Sequence, residues 1–208
     1  MRRLLRYLED ILWPRGLQCL CCERLTGGGL LCSTCADQLA QLRIPFEEGP
    51  VQSVWPYMEC PGKLVRCLKD DCVADAALLL ADGIADVIRQ MELPEGTVLT
   101  WISMPKGRQR ARGIDHGRLI CEAVSQRTGM PAIQLLHRAE GGRPQRRLNG
   151  KQRLQNLKGR FTCVSDPPAS VLLIDDVMTT GATIRTCTEV LQKGGVRMVY
   201  AVTATRVI

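Results

Sequence analysis

The stretch Val171-Leu172-Leu173-Ile174-Asp175-Asp176-Val177-Met178-Thr179-Thr180-Gly181-Ala182-Thr183 decides the fold. Its four leading aliphatic residues form an unbroken apolar run, as in a central parallel strand buried on both faces. Two aspartates follow at the carboxyl end of that strand, the edge where open α/β sheets bind their ligands. The turn from Thr179 to Thr183 then feeds a helix, and its backbone N–H groups and hydroxyls can cradle a phosphate with help from the helix dipole. Glycine at 181 lets the backbone approach closely. Carboxylates repel a phosphate but accept hydrogen bonds from vicinal hydroxyls, so the acidic pair and the turn together describe a ribose 5-phosphate.

Working outward from this strand, Val51 to Tyr57, Val98 to Ser103, Ala132 to His137 and Met198 to Thr205 read as further strands. Gly62 to Lys69, Ala74 to Met91, His116 to Thr128 and Thr183 to Lys193 read as helices. Strands alternating with helices of this length predict βαβ units and a mostly parallel sheet. His116 and His137 are each isolated, and the expectation for both is a helix or strand surface.

The 208 residues, 45% of them hydrophobic, suffice for one substantial core and a small appended module. The module is marked by cysteines. Cys19-x-x-Cys22 and Cys32-x-x-Cys35 form two pairs with Gly27, Gly28 and Gly29 between them, where the chain must reverse. Four soft ligands at this spacing suit a closed tetrahedral zinc site, structural because no ligand position stays open. Such a metal replaces a core too small to form on its own. Cys21 could serve in place of Cys22, which is preferred because it yields two matching pairs. Cysteines 60, 67, 72, 121, 163 and 187 share no such spacing and read as small core residues or incidental thiols. An odd total of 11 argues for metal or burial over a disulfide framework.

Leu4, Leu5, Leu8, Ile11 and Leu12 recur at helical spacing, so residues 2–13 read as an amphipathic helix ended by Pro14. Glu9 and Asp10 interrupt any signal-peptide core, and no run of eighteen apolar residues exists, so no membrane insertion and a cytoplasmic location are expected. Lys and Arg outnumber Asp and Glu by 28 to 21, which favours phosphates or nucleic acid over cationic ligands. The positive charge concentrates in two segments. Lys106, Arg108, Arg110 and Arg112 alternate after a strand end, and Arg146, Arg147, Lys151 and Arg153 fall between Arg143 and Lys158. Such loops can close over pyrophosphate or track a nucleic-acid backbone. Aromatic residues make up 4% of the chain and none lies in either segment, which disfavours a stacking platform for single-stranded bases.

The string from Asp175 to Thr183 resembles the phosphoribosyl pyrophosphate (PRPP) motif of type I phosphoribosyltransferases. Pro105 with its basic followers, Arg112-Gly113, the series Gln145, Leu148, Arg153, Asn156 and Phe161, and the cysteine pairs in front are similar to the ComF/GntX family over nearly the whole chain. The resemblance implies a type I phosphoribosyltransferase-like α/β domain over residues 46–208 behind a helix and zinc-binding segment over residues 1–45. It implies that Asp175 and Asp176 contact ribose hydroxyls and that Thr179, Thr180, Gly181, Ala182 and Thr183 hold the 5-phosphate. Magnesium would bridge pyrophosphate and ribose, with Lys69 near the pyrophosphate.

Several positions depart from the family pattern. A single four-cysteine set stands where many members carry further pairs. Arg112-Gly113-Ile114-Asp115-His116 replaces the usual Arg-Gly-Phe-Asn-Gln, and Asp70 and Asp71 behind Lys69 oppose an anion. At Thr179 a hydroxyl stands where some phosphoribosyltransferases place a carboxylate base. Two readings therefore stay open. One is a transferase moving phosphoribosyl from magnesium-bound PRPP to an acceptor that the sequence does not identify. The other is a non-catalytic nucleotide- or single-stranded-DNA-binding factor working with competence proteins in DNA uptake, the process with which ComF members are associated.

Overall fold

The computed structural model describes residues 17–105, 107, 109–110, 113–138 and 161–208. The helix expected over residues 2–13, the cations Lys106, Arg108 and Arg112, and the basic segment between Arg143 and Lys158 lie outside the described residues.

A four-stranded sheet forms the centre. Its strands are β1 (Val51–Pro56), β2 (Val98–Trp101), β5 (Ser170–Met178) and β6 (Met198–Arg206), in the order β1-β6-β5-β2 with every neighbouring pair parallel. The apolar run at the start of β5 alternates between two cores, as a two-faced strand must. Leu172 and Ile174 join Leu64, Leu80, Ile84 and Ile120 on one face. Val171 and Leu173 join Leu136, Ile184 and Leu191 on the other. The first face is covered by helices α2 (Glu59–Lys69), α3 (Ala76–Ile88) and α4 (His116–Thr128). The second is covered by α5 (Ala182–Lys193) and a two-stranded antiparallel ribbon of β3 (Leu136–Arg138) with β4 (Phe161–Cys163).

The α/β alternation read from the sequence is present, with two differences. The segment expected as one strand from Ala132 to His137 is split. Ala132 makes only an isolated parallel bridge to Leu99, and the chain then turns away to form β3 against β4. The strand read as ending at Ile174 continues to Met178, because β6 offers it partners as far as Arg206. On its other side β2 stops at Trp101, opposite Ile174. Asp175 and Asp176 thus lie past the end of one neighbour while still bonded to the other.

The cysteine segment is packed onto this core. Helix α1 (Ser33–Gln41), which the sequence reading did not anticipate, sets Leu39 beside Val54 and Trp55. The Trp55 indole N–H donates to the Leu39 carbonyl at 2.8 Å. Arg43 lies over the Trp55 ring at 5.0 Å and its guanidinium donates to Asp86 at 2.6 Å. Among the described residues no helix is long and apolar enough to cross a membrane.

Candidate functional site

Cys19, Cys22, Cys32 and Cys35 converge, with all four sulfurs within 4.8 Å of one another. The first pair sits in a tight turn closed by the Gln18–Leu25 bridge and by the Cys19 N–H donating to Arg24 at 2.8 Å. The second pair brackets the start of α1, with Cys32 as its N-cap. The Cys22 and Cys32 sulfurs are 3.6 Å apart. Zinc–sulfur bonds of about 2.3 Å at tetrahedral angles put ligand sulfurs about 3.8 Å apart, so the donor set fits a structural zinc ion. Burial works to raise the Cys19 thiol, but backbone N–H groups of Cys32, Cys22 and Cys21 outweigh it and bring Cys19 down to about 6, poised as a thiolate ligand. Burial pushes Cys35 up, and the crowd of neighbouring thiols adds to the shift.

Cys21 is not part of this set. It is disulfide-bonded to Cys60 on α2, with Cα atoms 5.2 Å apart, which corrects the reading of Cys60 as a core or incidental thiol. The cause is the knuckle's geometry. With Cys19 and Cys22 turned toward the other pair, the intervening Leu20-Cys21 step lies against α2, where Cys21 meets Cys60 and the Cys67 thiol donates to the Leu20 carbonyl at 3.4 Å.

A second feature opens at the carboxyl end of the sheet, a cavity of about 470 Å3. Asp175 and Asp176 line it from the end of β5, Thr179 from the turn that follows and Thr183 from the first turn of α5, with Lys69 and Arg66 from α2, Ser103 from beyond β2 and His116 from α4. Thr180, Gly181 and Ala182 are not among its lining residues. Gly181 has φ 68° and caps α5 without a side-chain bond, a left-handed conformation that glycine adopts at little cost. A Cβ there would lie 3.3 Å from the Arg185 guanidinium. The Ala182 side chain is buried in the second core, so only its backbone N–H can serve a ligand, and that group leans weakly on Thr180 Oγ1 at 3.4 Å.

The electrostatics centre on the aspartates. Lys69 Nζ lies 2.7 Å from Asp176 Oδ1, with side-chain exposures of 29% and 13%. Burial works to lower the Lys69 ammonium, but the Asp176 charge and the hydrogen bond to it prevail and hold Lys69 above the usual lysine value. Asp175 is half-buried and accepts from the Asp176 N–H at 3.0 Å. Desolvation, reinforced by the charge of Asp176, pushes Asp175 up to about 7 against the pull of Lys69 and Arg138. Two adjacent carboxylates are hard oxygen donors of the kind magnesium prefers, so the chemistry of the pair fits that ion.

The sequence reading missed several lining residues. His116 is 2% exposed and belongs to the cavity wall, which corrects its assignment to a surface. It shares the buried stripe of α4 with Ile120, Ala123 and Val124, at helical intervals, so the periodicity held the signal. Asp115 caps the helix by accepting from the Arg118 N–H at 3.3 Å and fixes where that stripe begins. His137 is exposed on β3, as expected. Arg138 enters from the β3–β4 ribbon, over the Phe161 ring at 5.1 Å, and pairwise spacing in the sequence gives no hint of it. Of the basic residues read as phosphate or nucleic-acid candidates, Lys69 is in the cavity, and Pro105, where the Lys106–Arg112 loop departs, lines its rim.

No family model matches the chain. It is 32% identical over 124 residues to Competence protein F of Haemophilus influenzae, covering 57% of this chain. The chain spans about half of that curated relative, 53% of its length. Solved structures similar to it include a hypoxanthine phosphoribosyltransferase from Staphylococcus aureus, 16% identical over 62% of each chain with a TM-score of 0.35. An adenine phosphoribosyltransferase from Leishmania tarentolae is 18% identical over 62% of this chain and 56% of that one, with a TM-score of 0.39. The similarity to Competence protein F accompanies a parallel sheet with an acidic pair and a threonine turn at its carboxyl end, and a four-cysteine cluster near the start of the chain.

Proposed function

We propose that the chain binds PRPP, or a nucleotide carrying ribose 5-phosphate, together with magnesium, and transfers the phosphoribosyl group to an acceptor. The observation that carries this reading is the joint lining of one cavity by Asp175, Asp176, Thr179 and Thr183. In the proposed complex the aspartates accept from the ribose 2- and 3-hydroxyls, charge-assisted bonds that favour a vicinal diol. The turn from Thr179 to Thr183 and the uncapped first turn of α5 hold the 5-phosphate, Ala182 through its backbone and the threonines through hydroxyls. Magnesium held by Asp175 and Asp176 would supply positive charge to the pyrophosphate, which leaves the anomeric carbon with its bonding electrons as a nucleophile attacks. The loop carrying Lys106, Arg108, Arg110 and Arg112 starts from the rim at Pro105 and is within sequence reach of the leaving group. Residues 1–45 then form a zinc-stabilised module appended to a transferase domain over residues 46–208, in the cytoplasm.

A second reading has its own support. Lys69 already neutralises Asp176, Asp70 also lines the cavity, and the similar protein bears a competence name. These favour a non-catalytic factor that holds a nucleotide or single-stranded DNA and works with competence proteins in DNA uptake. Calorimetry with magnesium and PRPP, followed by pyrophosphate-release assays over a panel of purine and pyrimidine bases, separates the two. Saturable magnesium-dependent PRPP binding is the expected result. A protein that binds no PRPP but holds single-stranded DNA with steep salt dependence belongs to the second reading.

A further inference from the structure

The acidic pair is occupied from within. Lys69 is the last residue of α2, and its ammonium reaches across the cavity wall to Asp176 Oδ1 on β5 at 2.7 Å. The C-terminal end of a helix favours a cation, so α2 itself helps to hold the ammonium there. Helix α2 is anchored at its other end, where Cys60 is bonded to Cys21, and is buried along Leu64, Val65 and Leu68. The lysine is thereby delivered from an anchored helix, and its side chain is 29% exposed.

Magnesium binds oxygen at about 2.1 Å in an octahedral shell. An ion at that distance from Asp176 Oδ1 would sit within a few ångströms of the Lys69 ammonium, with little water between to screen them. The two cations therefore compete for one carboxylate. We propose that Lys69 is a displaceable internal counter-ion that excludes free divalent metal from the Asp175–Asp176 pair, so that metal enters only with an anionic ligand able to draw the ammonium away. This inference rests on the reading of the pair as the magnesium-PRPP site. It adds an order of events in which the metal-ligand complex, rather than the bare ion, is what the resting site accepts. Lys69 is on this account a positioning residue whose charge sets which metal species can approach.

The test is manganese binding without PRPP, read as loss of the free-ion electron paramagnetic resonance signal on the zinc-loaded full chain. The parent and Lys69→Arg, which keeps the charge, should bind manganese weakly and alike. Lys69→Met and, independently, Lys69→Gln should bind it at least tenfold more tightly, and adding Asp176→Asn to either should abolish the gain. The inference is overturned if both neutral variants bind manganese no more tightly than the parent, or if the gain persists with Asp176→Asn. Because PRPP is absent, a failure here leaves calorimetry with magnesium-PRPP free to succeed. A gain of manganese affinity in a protein that never binds PRPP upholds the counter-ion role while removing the PRPP reading.

Discussion

The indole of Trp55 occupies the volume that a Cβ on Gly83 would need, since an added Cβ would lie 2.1 Å from the tip of the ring. Glycine inside α3 is a cost in helix propensity that the packing of Trp55 offsets. The same indole carries Leu39 and Arg43 of the cysteine segment on its edge and face. Gly83→Ala should therefore loosen both the sheet–helix contact and the attachment of the zinc segment. A loss of about 1–3 kcal/mol in urea unfolding is expected, the range for overpacking a tight core. An unchanged midpoint would mean that Trp55 has another place to go.

Zinc should be present at about one ion per chain in protein purified without chelator, as a closed four-thiolate site requires. The Cys32→Ser and Cys35→Ser double variant should lose it and melt at a lower temperature, because Cys19, Cys35 and Leu39 belong to the same core as Trp55. Retention of the metal in that variant, measured by elemental analysis, would remove the assigned ligand set.

The displaced titration of Asp175 gives a dependence on pH whose sign is fixed. The native carboxyl protonates at about 7 and an unperturbed one at 3.8, so between these values the folded chain holds a proton that the unfolded chain has lost. Stability then falls as pH rises through that window, and the cost is complete above pH 7 and absent below pH 4. Asp175→Asn lifts the cost while keeping an oxygen to accept from the Asp176 N–H. The ligand-free variant should exceed its parent by about 1–3 kcal/mol at pH 8, less than the full linkage value because Lys69 and Asp176 relax with it. The two should converge near pH 4. Equal stability at both pH values would show that the Asp175 proton is not held by the fold.

The parts of this molecule governed by local pattern were legible in its sequence. Helix α4 runs from His116 to Thr128, as its apolar spacing requires, with Asp115 as N-cap and Gly129 at φ 74° as its C-terminal stop. The cysteine tetrad followed from ligand spacing alone. What escaped depends on distant partners. The length of β5 beyond Ile174 is set by the reach of β6, and the Cys21–Cys60 bond joins residues 39 positions apart that nothing local connects. The ion pair of Lys69 with Asp176 spans 107 positions, so no local pattern shows that the candidate pyrophosphate contact lies against the candidate ribose site. The burial of His116 is by contrast local, since the stripe of Ile120, Ala123 and Val124 reaches back to it in the first turn of α4.

The central claim is that Asp175 and Asp176 hold a ribose, and the most direct measurement is the magnesium-PRPP affinity of the Asp175→Asn, Asp176→Asn double variant. Asparagine preserves size but removes the charge-assisted acceptors and the attraction for the metal. Losing two such bonds should cost about 3 kcal/mol, on the order of a hundredfold in affinity. Zinc content and any salt-sensitive DNA binding should stay at parental levels, since neither uses these carboxylates. A double variant that binds magnesium-PRPP as tightly as its parent would contradict the account.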